Sequence, residues 1–319
     1  MEDRIITYGG QAVIEGVLMR GQKALALAMR APNGEIVVHT EKLSGLYQSR
    51  LAKIPFLRGI ILLSDALSLG MKALIRAANT QTGEDEKLEG PALYLTLFIS
   101  LAFGIGLFFL APYGAAKLIQ WLAGLAAANA PSAGVAVAGV SLAGLGDSNQ
   151  FATNIWVTAA IEGVTRLALI VGYIWAIGRV PDIQRVFQYH GAEHKTINAF
   201  EAGIELTPEN VARYPLEHPR CGTSFLLTLV ILSIFAFSLL HPLAWVWQVL
   251  GRILFIPILA GIALEYIRWT ANHLDSSVVR AMIRPNLALQ SLTTREPDLA
   301  QLEVAIRAFN EMRLAEENA

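Results

Sequence analysis

A single cysteine, Cys221, among 319 residues excludes an internal disulfide framework, so the fold does not depend on an oxidising compartment. Charge is scarce too. Asp, Glu, Lys and Arg make up 16% of the chain, where a water-soluble domain of this length carries about a quarter. The formal net charge of −1 argues against nucleic acid as a partner. A cleavable leader is also missing: residues 1–20 are charged and glycine-rich, without an apolar core. The amino terminus is expected to stay in the mature protein.

Hydrophobic residues, by contrast, supply 54% of the chain, and mean hydropathy is positive. Four stretches, 93–121, 155–177, 223–240 and 243–267, approach or exceed the ~18–20 apolar residues needed to cross a ~30 Å hydrocarbon core. The expected class is therefore an α-helical polytopic membrane protein with about four transmembrane helices, whose first partner is the lipid bilayer. Lys and Arg set its orientation. Residues 122–154 contain neither, whereas 179–222 carry Arg179, Arg185, Lys195, Arg213 and Arg220 and both terminal regions are rich in them. The positive-inside rule then puts both termini and the central loop in the cytoplasm.

Residues 1–90 read as a small cytoplasmic α+β region. Strand-like pieces flank Pro32-Asn33-Gly34, a turn signal that predicts a β-hairpin. In 54–78, Arg58, Asp65 and Lys72 recur at seven-residue spacing among aliphatics, which suits an interfacial amphipathic helix better than a crossing. Segment 91–178 then holds crossings one and two with a Gly/Ala-rich outer loop, read as a re-entrant hairpin or a disordered connection. Segment 179–222 is the central cytoplasmic loop, and 223–268 holds crossings three and four. The tail, 269–319, places Leu299, Leu302, Ile306 and Phe309 at helical spacing and reads as a cytoplasmic helix.

The chemistry concentrates in the central segment. His190, Glu193 and His194 spell H-x-x-E-H. On a helix the two imidazoles lie about 40° apart and one turn along, with Glu201 on the same stripe. Two histidines and a carboxylate form a three-ligand site with one tetrahedral position open, and Glu193, off the stripe, is the candidate general base. His218-Pro219-Arg220-Cys221-Gly222 follows, and an H-x-x-C pair in such a turn offers two further donors. Four protein ligands would make a closed structural shell, and three an open catalytic one. The expected cofactor is a divalent metal, zinc first. A short H-x-x-x-H match also arises without metal, and Cys221 alone is an ordinary apolar residue.

Glu162, Arg166 and Arg252 fall inside expected crossings two and four, where ionisable groups are costly and mark an ion pair or a polar path. In 9–21, Glu15 and Arg20 sit among glycines that lack the spacing of a phosphate loop.

The strings GGQAVIEGVLMRG, YHGAEHKTINAFE, HPRCGTSF and LTTREPDLAQLEVAI resemble the signature blocks of the YqhQ-like family, bacterial membrane proteins of unknown function described as predicted metal-dependent enzymes. The resemblance runs from Tyr8 to Ile306 and implies that His190, Glu193, His194, Glu201, His218, Cys221, Glu15, Arg20, Arg295 and Glu296 occupy its motif blocks. Gln22 stands where the family usually has proline, and Pro285-Asn286-Leu287-Ala288-Leu289-Gln290 replaces a more typical PGLWLQ. H-x-x-E-H also matches the inverted zinc-peptidase motif, whose third ligand is a distant glutamate; Glu265 is one counterpart.

The function expected is metal-assisted hydrolysis of a membrane-associated substrate. Two alternatives stand beside it: a non-catalytic factor for membrane-protein insertion, assembly or quality control, which would meet other membrane proteins or the translocation machinery, and a small transporter.

Overall fold

The computed structural model describes residues 8–43, 54, 57–82, 90–129, 136–137, 140–141, 155–240 and 243–319. Most of the Gly/Ala-rich connection, Pro55 and the first residues of the chain lie outside them. The chain divides into two compact units, Met1–Leu93, Ile174–Leu226 and Ala260–Ala319 in one, Tyr94–Tyr173 and Leu227–Leu259 in the other.

The first unit is built on a four-stranded antiparallel meander of β1 (Gly9–Val13), β2 (Gly16–Arg20), β3 (Ala24–Arg30) and β4 (Ile36–Lys42), in the order β1-β2-β3-β4. The hairpin expected around Pro32-Asn33-Gly34 is β3–β4, with Arg30 opposite Ile36. Residues 9–20 form a second hairpin. Its turn is Ile14-Glu15, with Glu15 at φ 53°, a left-handed conformation that costs a non-glycine residue about 1–2 kcal/mol.

Side chains on β3 alternate by the two-residue period of a strand. Ala26 and Ala28 face one way, with Val17 and Met19 of β2, and pack on α5 (Pro181–Glu201) and α10 (Leu299–Glu317). Leu25, Leu27 and Met29 face the other way and meet Ala73 and Ala77 of α1 (Leu57–Thr82). Alanine on the first face lets two helices approach closely, and Phe309 of α10 is wholly buried there against the ring of Tyr8. Helix α1 is thus seated on the sheet by its small residues, and its other side exposes Leu67, Met71 and Lys72.

The second unit is helical. Helix α2 (Gly90–Ile105) passes through a π-helical turn, Gly106–Leu110, into α3 (Ala111–Asn129). Strands β5 (Ala136–Val137) and β6 (Val140–Ser141) pair. Helices α4 (Ile155–Ile177), α7 (Gly222–Ser238) and α8 (Trp245–Ala271) complete it and continue into the first unit, which also holds the one-turn α6 (Pro208–Val211) and α9 (Ser277–Gln290). Among the described residues three helices are long and apolar enough to cross a membrane: Leu93–Ala123, Val157–Ile177 and Trp245–Ala271. The third expected crossing is the shorter α7, 17 residues. Tyr94, Phe98, Leu101 and Phe103 are all more than half exposed, which suits a hydrocarbon surrounding and not water.

Within this unit Glu162 accepts from both arginines at 2.8 Å: Arg166, one turn along α4, and Arg252 of α8. Arg166 also donates to the carbonyl of Phe108 at 2.9 Å and to Ser233 Oγ at 2.7 Å. The acceptor of the first bond, Phe108, lies within the π-helical turn. Both guanidiniums lie over the ring of Phe237. One carboxylate thus serves two guanidiniums.

Candidate metal centre

Helix α5 starts with Pro181 in its first turn and runs unbroken to Glu201, so His190 and His194 are one turn apart, with ring centroids 4.4 Å from each other. Each ring is held at Nδ1 by a backbone carbonyl. His190 Nδ1 lies 2.9 Å from Thr293 O, and His194 Nδ1 lies 2.5 Å from Leu216 O. A carbonyl only accepts, so Nδ1 of each ring carries the proton and Nε2 presents a lone pair.

Those lone pairs converge with Cys221. Its sulfur is 3.2 Å from His190 Nε2 and accepts the N–H of Thr223 in the first turn of α7. One donor atom from each of His190, His194 and Cys221 lies within 4.8 Å of the other two. Bonds of about 2.0–2.3 Å in a tetrahedral zinc site put ligand atoms about 3.5 Å apart, so the set closes with side-chain shifts on the order of 1 Å. His194 Nε2 is buried without a hydrogen-bond partner, an expense that native interiors rarely tolerate.

The other candidate ligands are placed otherwise. His218 packs its ring 5.6 Å from that of His194, but Arg220 donates to its Nε2 at 3.3 Å. Burial, then the Arg220 charge and the neighbouring imidazoles, pull its pKa down to about 3, so it stays neutral. Glu201, which the helical wheel puts on the histidine stripe, forms an ion pair with Arg220. The wheel places it two turns beyond His194, and a carboxylate side chain does not reach back that far. Neither His218, Glu201 nor Glu265 belongs to the converging set among the described residues.

Glu193 is buried under β1, where it accepts the N–H of Gly10. Burial raises its pKa to about 7, against the opposing pull of His190 and of that N–H. A Cβ on Gly10 would come within 2.9 Å of the Glu193 carboxyl carbon and 2.5 Å of Leu18 O, so only glycine fits. Glu15 takes the guanidinium of Arg185, 2.6 Å from its Nη2, and the Tyr189 hydroxyl at 3.2 Å. The Arg185 hydrogen bond leads the forces that hold its pKa below the ordinary carboxylate range. Glu15 thereby ties the strained turn to α5. Glu296 pairs with the buried Lys195 at 2.6 Å, while Arg295 donates to the carbonyls of Ser291 and Thr294. Arg20 ends β2, half-buried.

Sequence reasoning missed three residues. Gln290 is fully buried and clamps the His218 peptide, accepting its N–H at 3.0 Å and donating to its carbonyl at 2.7 Å. Thr293 supplies the carbonyl that orients His190. Gly191 lets the 293–295 segment run across α5: a Cβ there would lie 2.2 Å from Arg295 O and 2.7 Å from Leu216 Cδ2. The signal was in the strings themselves, in the glycine between the histidines and the glutamine ending the PNLALQ block.

The family described as "Protein of unknown function (DUF1385)" matches residues 54–315. The chain belongs to this family. It is 35% identical over 323 residues to "Uncharacterized protein YqhQ" of Bacillus subtilis (strain 168), an alignment covering 96% of this chain and 92% of that protein. No solved structure matches it. Membership of this family supplies no activity, so the site must be read from its own chemistry.

Proposed function

We propose that this protein is a multi-pass cytoplasmic-membrane hydrolase with a zinc-type site held by His190, His194 and Cys221, acting on a membrane-associated substrate. In this reading the shorter α7 also crosses, as the third of four spans in chain order, and both termini and α5 lie in the cytoplasm. The carrying observation is the pair of imidazoles whose Nδ1–H groups are tied to carbonyls while the buried Nε2 of His194 has no partner. Such outer hydrogen bonds fix the tautomer of metal-ligating histidines.

A cation there would supply Lewis-acid activation of water. Three protein ligands leave one tetrahedral position for that chemistry. Glu193, the carboxylate next in the chain to His194, is assigned proton transfer. The N–H of Gly10 holds it, and a carboxyl whose pKa burial raises to about 7 is suited to take up and return a proton near neutrality. Because Cys221 precedes the apolar α7, a substrate reaching the site meets it at the membrane boundary.

Purified protein is expected to carry about one equivalent of zinc or a similar ion by elemental analysis, with His190→Ala and His194→Ala nearly empty. Wild-type protein without metal, prepared without chelators, would refute the reading. Glu193→Gln should retain the ion and cause an uncleaved membrane lipid or peptide to accumulate in cells. Retention of the ion with no such change would instead favour a structural metal in a non-catalytic assembly factor.

A further inference from the structure

Helix α9 starts after five residues, 272–276, from the end of α8. The last turns of α8 expose Trp269, which packs its ring 5.1 Å from that of His273. Trp side chains gather at the depth where hydrocarbon gives way to headgroups, so the chain leaves α8 at that level. Helix α9 is two-faced. Val279, Ile283, Asn286, Leu289 and Gln290 are buried, whereas Val278 and Met282 are 66% and 42% exposed and stand among the exposed Arg280 and Arg284. Arg280 is partly occupied, since its Nη1 donates to the carbonyls of Leu274 and Asp275 at 3.0 and 2.9 Å. At 100° per residue the arginines lie on the flank away from Val278 and Met282, and exposed apolar side chains on one flank with arginines on the other are the pattern of a helix lying in the plane of an anionic interface.

We infer that the outward face of α9 is seated on the bilayer, with Val278 and Met282 among the acyl-chain ends and Arg284 on lipid phosphate. The inward face carries the consequence for the site. Gln290, the last residue of α9, grips the His218 peptide, and Thr293 just beyond orients His190. The lipid-facing helix and the frame of the candidate metal centre are one rigid piece, which fixes the site at headgroup height. Its substrate class is then an amphiphile presented in the leaflet, not a solute of the bulk cytoplasm. The seating of α9 rests on α8 crossing the bilayer and is independent of the metal, whereas the substrate class rests on the hydrolase reading of the site.

The test is photocrosslinking in vesicles of phosphatidylethanolamine and phosphatidylglycerol in equal parts, with a diazirine side chain placed in turn at Val278, Met282, Ile283 and Ile258 of the full chain. Lipid adducts are expected at Val278 and Met282, none at the buried Ile283, and strong adducts at Ile258 within α8. Adducts at Ile258 with only water or protein products at Val278 and Met282 would overturn the seating of α9. Absence of lipid adducts at Ile258 would overturn the membrane reading itself. Arg284→Glu should lower the phosphatidylglycerol share of the Met282 adducts several-fold. An unchanged share would remove Arg284 from the phosphate contact.

Discussion

At the scale of single residues, the candidate centre is held by what surrounds its histidines as much as by the imidazoles. Gly191 sits between them, and the segments that anchor both rings press against it: one bears Thr293, the other Leu216. Gly191→Ala puts a methyl group against both segments, at separations where something must move. Loss of such outer hydrogen bonds typically lowers metal affinity by about 10–100-fold. Zinc titration of Gly191→Ala should show a weakening of about that size with the donors intact, and unchanged affinity would mean that the two carbonyls do not orient the rings. The histidine pair was legible in the sequence because one helical turn converts spacing into proximity without reference to the rest of the fold. Glu201 was misread for the complementary reason: a wheel reports angle and ignores both axial distance and the Arg220 that claims the carboxylate. Gln290 and Thr293 act through contacts about seventy to a hundred residues away in sequence, and no local pattern announces them.

At the scale of elements, the long apolar helices could be read from the sequence, whereas their internal wiring could not. The π-turn between α2 and α3 leaves no mark in hydropathy, yet a carbonyl within it accepts from Arg166. Among the described residues the cluster holds two guanidiniums to one carboxylate. Removing the carboxylate strands two positive charges, and removing one arginine leaves a matched pair. Breaking a buried pair costs about 3–5 kcal/mol, so Glu162→Leu should melt at lower temperature in detergent than Arg252→Leu. The reverse order would show that Glu162 is not the hub. The sheet was half legible: turn chemistry at Pro32-Asn33-Gly34 identified β3–β4, but Ile14-Glu15 has no turn signature because the strain at Glu15 is offset by tertiary bonds to Arg185 and Tyr189.

At the scale of the whole molecule, the proposed ligands join pieces of chain that are distant in sequence: α5 and the residues before α7, with α9 and the 293–295 segment as their frame. A cation bound only by the folded form stabilises that form by RT ln(1 + [L]/Kd), about 2.7 kcal/mol at a hundredfold excess over Kd. Added zinc should therefore raise the Tm of stripped wild-type protein and leave His194→Ala unmoved. A rise of equal size in both would place the ion elsewhere.

The first unit is also interrupted twice along the chain, and its last helix lies across the sheet made by its first residues: α10 packs on β2, β3 and β4, and Glu316 accepts the N–H of Lys23 at 2.8 Å. During synthesis the meander must wait, with part of one apolar face uncovered, until residues 299–317 have been made. A nascent chain stalled before residue 299 therefore offers chaperones and proteases an unfinished sheet, and docking of α10 is the event that closes it.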